Sequence, residues 1–289
     1  MTVDIKPRGL VESTEAGSSE LAVYLLLAFG VTFALTAPIA ASEQGWIATD
    51  VGSEWHGVGA LGPLVGALVV AKRSSLAAAH LRQGIGRWRV SPWFWLAALS
   101  PLVFLVPAAF VARLVDGERP AWSALADSDR LAGGGWMTAL LIPALAYGIG
   151  EEAGWRGVVL PRLQSRFQPL PAALVLGGIW VAWHIPFYLY REGMVDAALG
   201  EQIAQAVVIV IGGLFLAWLY NSTGGSILLC AVWHFSHSVV HVAAPEISQN
   251  FDTVNGVFST VLAICVAAIW WRRMSVNQTV TFPGETSLP

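Results

Sequence analysis

Apolar runs of roughly 15 to 21 residues recur along the whole chain, each about the length a helix needs to cross a hydrocarbon layer ~30 Å thick. Composition agrees with that reading. Of 289 residues 55% are hydrophobic and only 12% are charged, against about 25% charged in soluble domains. The expected fold class is therefore all-α, a polytopic transmembrane helical bundle of about eight helices. The net charge of -3 and the scatter of Lys and Arg leave no continuous basic surface, so no nucleic-acid partner is expected. Cys230 and Cys265 both lie inside apolar runs, which predicts two buried free thiols rather than a disulfide framework.

Hydropathy and flanking charge predict spans near 21–41, 57–71, 93–112, 136–155, 170–189, 202–220, 227–242 and 257–271. Trp93, Trp95, Trp136, Trp270 and Trp271 fall at span edges, where amphipathic rings prefer the headgroup zone. If the N-terminal tail is cytoplasmic, Lys6, Arg8, Lys72, Arg73, Arg82, Arg87, Arg89, Arg156, Arg162, Arg166, Arg272 and Arg273 all lie inside. Only Arg113, Arg119, Arg130 and Arg191 fall opposite, so the positive-inside rule predicts both termini in the cytoplasm. Ala40-Ala41-Ser42 is small enough for signal-peptide cleavage after the first run. Yet Lys6 and Arg8 are outnumbered by Asp4, Glu12, Glu15 and Glu20, the wrong charge for such a leader.

Polar stretches at 1–20 and 275–289 are expected to be disordered tails flanking one membrane-embedded domain over 21–274, whose motif-bearing core is 136–242. No internal repeat is evident. Between Ser74 and Val90, Leu76, Leu81, Ile85 and Trp88 interleave with His80, Arg82, Arg87 and Arg89, the pattern of an interfacial amphipathic helix that anchors the chain in the headgroup layer. An integral, multi-pass protein of a bacterial plasma membrane is expected, with the lipid bilayer itself as a partner.

Ionisable groups at membrane depth cost at least ~2.5 kcal/mol each, so those present are functional candidates. One run reads Tyr147-Gly148-Ile149-Gly150-Glu151-Glu152-Ala153-Gly154-Trp155-Arg156, a second Trp180-Val181-Ala182-Trp183-His184-Ile185-Pro186, and a third Trp233-His234-Phe235-Ser236-His237-Ser238 with His241 beyond. Glu152 and Arg156 are four apart and share a helix face, so they are expected to pair. Glu151 then points about 100° away and is expected to stay free, as a base or a water ligand. An interfacial charge cluster closing the helix is the plainer alternative. His234, Ser238 and His241 recur at i, i+4 and i+7 and predict one polar stripe. Pro186 removes the hydrogen bond to the Ala182 carbonyl and is expected to kink or end its helix beside His184.

At these residues the chain resembles the CPBP intramembrane proteases, which include the type II CAAX prenyl endopeptidases and bacteriocin-immunity relatives, also called the ABI family. Glu151, Glu152 and Arg156 match the first motif, Glu-Glu-x-x-x-Arg. Trp180 and His184 match the second, an aromatic followed four residues later by His, where Phe is the commoner aromatic. His234 matches the third, His-x-x-x-Asn, but Ser238 stands in the Asn position. The run Ala217-Trp218-Leu219-Tyr220 and then Thr223-Gly224-Gly225-Ser226 also resembles the family's approach to that motif.

The resemblance implies hydrolysis of a peptide bond within the membrane. Glu151 and His184 would activate a water, while His234, with Ser238, would stabilise the oxyanion. The substrate implied is a peptide or protein, lipidated or membrane-anchored. The family has also been described as metalloproteases, and Glu151, His184 and His234 would then be the ligand set of a catalytic zinc with an open position. The absence of a His-Glu-x-x-His helix favours the metal-free form. Two non-enzymatic alternatives stand beside it: an inactive scaffold or immunity protein of the same fold, and a small transporter. A transporter would be expected to show pseudo-symmetric halves, which this sequence lacks.

Overall fold

The computed structural model describes residues 8–52, 56–117, 140–191, 194–247 and 250–274, and every element among them is helical. Four helical stretches are long and apolar enough to cross a membrane: Ser19–Glu43, Pro169–Leu189, Leu199–Ser222 and Phe251–Ile269, with the shorter apolar stretch Ile227–His241 beside them. The protein is an integral, multi-pass helical membrane bundle.

In chain order, α1 is Arg8–Glu43, α2 His56–Gly59, α3 Gly62–Arg73, α4 Ser75–Ile85, α5 Pro92–Ala98, α6 Ser100–Val103 and α7 Leu105–Asp116. A composite rod, α8, joins the π-helix Pro143–Glu151, the α-turn Glu152–Gly154, the π-helix Trp155–Val159 and the α-segment Leu160–Gln164. Then follow α9 (Pro169–Trp183) with the 3-10 extension Ile185–Leu189, α10 (Leu199–Ser222), α11 (Ile227–Ile247) and α12 (Phe251–Met274).

Several expectations are corrected. α1 begins at Arg8, so the polar stretch up to residue 20 is largely helical; its Leu, Glu and Ala are good helix formers that extend the turn begun by the apolar run. The rest of both tails lies outside the described residues. The span expected at 57–71 is split into α2 and α3, and the one at 93–112 is broken into α5, α6 and α7. Prolines explain the second break. Pro101 and Pro107 remove the backbone donors that would serve the Ala97 and Val103 carbonyls, and beside these breaks the Pro101 carbonyl accepts from Asn255 Nδ2 of α12 at 3.1 Å. Within the stretch 74–90 the helix α4 covers Ser75–Ile85 and stops short of Trp88, with the Ser74 hydroxyl accepting from the Ala77 N–H at 3.3 Å, His80 and Leu81 turned inward and Leu76 outward. Cys230 is buried and Cys265 lies on an exposed face of α12; both are free thiols.

The run around the two glutamates departs furthest from its predicted geometry. It does not end near Trp155 but continues to Gln164, and the start predicted at 136 falls outside the described residues. Pro161 has no N–H to offer Gly157 and its ring crowds that carbonyl, and the preceding five residues take the wider i→i+5 pattern. Glu151 therefore sits in the middle of a rod rather than at a helix end.

Close approaches at two glycines hold α1 against α3 and against this rod. A Cβ on Gly62 would lie 2.4 Å from the Ala28 carbonyl oxygen, and one on Gly154 would lie 2.1 Å from the Tyr24 hydroxyl. Small residues permit such contact where apolar burial gives little drive between lipid-facing helices. At the other end of the bundle, Gly224 and Gly225 take φ +66° and +92° in the turn between α10 and α11, a region that L side chains disfavour. Ser226 then caps α11, accepting from the Leu229 N–H at 3.2 Å and donating to the Arg87 carbonyl at 2.7 Å.

Candidate active site

Three elements converge on one side chain, Trp180 of α9. Its indole Nε1 donates to Glu151 Oε2 at 2.9 Å, and the Arg156 guanidinium carbon lies 4.9 Å from its ring. The rings of His184 and His234 meet it edge-on at 5.7 and 5.6 Å. Residues from the rod, α9 and α11, distant in sequence, thus surround a single indole.

Glu151, Glu152 and Arg156 are 3%, 0% and 0% exposed, so they are buried groups rather than a charged helix end at the membrane surface. Glu152 and Arg156 make the i, i+4 contact, with Arg156 Nη1 2.9 Å from Glu152 Oε1. Arg156 Nη2 reaches the Gly213 carbonyl of α10 at 3.4 Å. The same Glu152 oxygen takes a second contact, His234 Nδ1 at 2.9 Å. A ring nitrogen facing a carboxylate carries a proton, so His234 Nδ1–H donates to Glu152 and Nε2 is left for other work.

His184 sits at the junction where α9 gives way to the 3-10 turn, two residues before Pro186. Its Nδ1 lies 2.7 Å from the Trp180 carbonyl, one of the acceptors exposed by that helix end. A carbonyl only accepts, so Nδ1–H donates and His184 Nε2 is left with its lone pair. Trp183 and Phe187 pack edge-on against the His184 ring at 4.9 and 5.3 Å. Trp183 Nε1 is anchored to the Thr32 hydroxyl at 3.0 Å, which donates to the Gly59 carbonyl at 2.7 Å.

Glu151 is not the unpartnered carboxylate its position predicts. Its Oε2 accepts from two indoles, Trp180 and, at 3.2 Å, Trp155. Oε1 accepts no hydrogen bond among the described residues. Trp155 is held in turn by Tyr24 of α1, edge-on at 5.6 Å. The sequence carried a signal for this contact: Trp155 follows Glu151 by four residues, the spacing that pairs Arg156 with Glu152. In sequence Trp180 stands only as an aromatic motif position, whereas its N–H is the part that reaches the carboxylate.

The predicted His234, Ser238, His241 stripe does not form one site. Ser238 makes no hydrogen bond to these side chains among the described residues, and His241 Nδ1 pairs with Asp252 of α12 at 2.8 Å on an exposed face. Seven residues of helix advance about 10 Å, which carries His241 beyond reach of the Trp180 cluster. His237 stacks on Trp233 with ring centroids 5.3 Å apart and planes at 5°. Among the described residues no three His, Cys, Asp or Glu side chains form a group that could hold a metal ion. The expected ligand set of Glu151, His184 and His234 is not such a group.

Two adjacent buried carboxylates, an arginine paired with one of them and two histidines with their Nε2 atoms uncommitted define a helical membrane protein with a buried polar centre. Residues 133–240 match the family model described as type II CAAX prenyl endopeptidase, Rce1-like. Over 89 residues, 29% of this chain and 33% of the relative, the sequence is 28% identical to CAAX prenyl protease 2 of Methanococcus maripaludis. The chain thus spans about a third of the length of that curated relative. The similarity to this family of peptidases is thus confined to the motif-bearing core.

Proposed function

We propose that the protein is an intramembrane endopeptidase that hydrolyses a peptide bond with a water activated by Glu151 and His184. Glu151 takes one proton from the water and the Nε2 lone pair of His184 accepts the other O–H, orienting the oxygen towards the scissile carbonyl carbon. The C–O bond forms and the carbonyl oxygen becomes an oxyanion, to which doubly protonated His234 donates through Nε2. A preorganised donor of this kind is typically worth about 2.7 to 4 kcal/mol. The C–N bond then breaks, and the proton on Glu151 passes to the leaving amine. Glu152 and Arg156 act behind this set by holding the His234 ring.

The observation that supports this reading is the meeting of Glu151, His184 and His234 around Trp180. Burial of Glu151 argues against an inert surface cluster, because an unused carboxylate at that depth is costly. The substrate class proposed is a membrane-anchored peptide or protein, with a prenylated C-terminal segment as the first to test, in a bacterial plasma membrane. The test is cleavage of an internally quenched, farnesylated peptide in proteoliposomes, with the unprenylated peptide alongside. Release that is lost in Glu151→Gln supports the reading. Equal release by that variant overturns it.

A further inference from the structure

Two indole N–H groups meet on one oxygen of a single buried carboxylate. Trp180 Nε1 lies 2.9 Å and Trp155 Nε1 3.2 Å from Glu151 Oε2, whereas Oε1 accepts from no described residue. The donors come from different elements, Trp155 from the same rod one turn on and Trp180 from α9. Both are braced: Trp155 is fully buried against Tyr24 and Trp183, and Trp180 lies between the Arg156 guanidinium and the two histidine rings. A Phe ring could fill most of either space but has no donor. The N–H groups are therefore the part of these side chains that acts on Glu151.

We infer that Trp155 and Trp180 are positioning residues that hold Oε2 of Glu151 and so make Oε1 the atom that receives the water's proton. A carboxylate free to turn about its last bond would present either oxygen, in a range of orientations. Two donors on one oxygen remove that freedom and aim the other oxygen at a constant place. Trp180 contributes a second constraint, because its ring also spaces His184 from His234. The base, the water-orienting nitrogen and the oxyanion donor thus share one rigid reference. This inference rests on the peptidase reading for its kinetic consequence, but the clamp itself is a property of the carboxyl group.

The experiment compares the native full chain with Trp180→Phe, Trp155→Phe and the double variant in proteoliposomes, using the farnesylated quenched peptide and infrared difference spectroscopy. A further variant carries benzothienylalanine at position 180, which keeps the bicyclic shape but replaces N–H by sulfur. The band missing in Glu151→Gln marks the Glu151 carboxyl. Each loss of an N–H is expected to displace that band and to lower kcat about tenfold, the scale of a hydrogen bond to a charged group, with KM changed less than twofold. A variant with an unchanged melting temperature, an unmoved band and native kcat overturns the clamp, while loss of activity in Glu151→Gln leaves the peptidase reading standing. If the native protein does not cleave the probe, the band shift alone decides the clamp. If Trp155→Phe or Trp180→Phe does not fold, the benzothienylalanine variant gives the result.

Discussion

His234 and Glu152, on helices α11 and α8, are joined by a 2.9 Å contact between Nδ1 and Oε1. Arg156 Nη1 reaches the same carboxylate oxygen at 2.9 Å, so one buried atom serves two partners. Glu152→Gln removes the charge from both at once. Breaking one partner out of a buried ion pair costs about 3 to 5 kcal/mol, and Arg156 here is fully enclosed. The expected outcome is a large drop in detergent melting temperature together with lost cleavage, since His234 also loses its orientation. A Glu152→Gln protein with native melting and native turnover would contradict the arrangement.

Glu151→Gln should behave differently although it is the adjacent residue. The amide fills the same space and its oxygen can accept from the indole N–H groups of Trp155 and Trp180, but it cannot take a proton. The variant is expected to keep its melting temperature within a degree or two of native while cleavage of the quenched peptide falls to background. Parallel thermal and kinetic measurements on the two glutamine variants separate the residues' roles. Similar loss of stability in both would argue that Glu151 is a structural group.

Much of this centre is legible one helix at a time. The i, i+4 spacing of Glu152 and Arg156 follows from helical geometry, and Pro186 marks where α9 ends beside His184. What one helix at a time cannot reveal is which face meets which. The His234 contact with Glu152 spans 82 residues in sequence and depends on how α11 lies against the rod. The Trp180 N–H that meets Glu151 likewise comes from another helix, 29 residues away in sequence. The breaks at α6 and α7 were hidden for a related reason. Hydropathy averages over Pro101 and Pro107, whereas a backbone hydrogen bond either has a donor or lacks one.

Glycine substitutions in α1 and α3 should have opposite signs. Gly62→Ala sets a methyl group 2.4 Å from the Ala28 carbonyl oxygen, where the obstacle is backbone and cannot swing aside. Overpacking of this kind costs about 1 to 3 kcal/mol. Gly30→Ala meets nothing within 4 Å on the exposed face of α1 and should gain about 0.5 to 1 kcal/mol from the reduced freedom of the unfolded chain. Melting temperatures in one detergent should fall for the first and hold or rise for the second. Equal effects would mean that the α1–α3 contact is looser than described.

Acid should loosen helix α4 through His80. This residue lies outside the membrane-spanning segments, is buried, and has Nε2 2.8 Å from the Tyr220 hydroxyl of α10. Burial pushes its pKa down from 6.5 to about 4, and the positive charges of Arg162 and Arg87 act in the same direction. Between those values the unfolded chain binds the proton that the folded chain refuses, so stability rises with pH across that window and falls as pH drops through it. The full effect, developed only below about pH 4, is on the order of 3 kcal/mol. Melting curves between pH 7 and pH 4.5 should therefore slope downward in the native protein and less steeply in His80→Gln, which keeps a hydrogen-bonding group for Tyr220 but does not titrate. Identical slopes in the two proteins would remove His80 from the acid response.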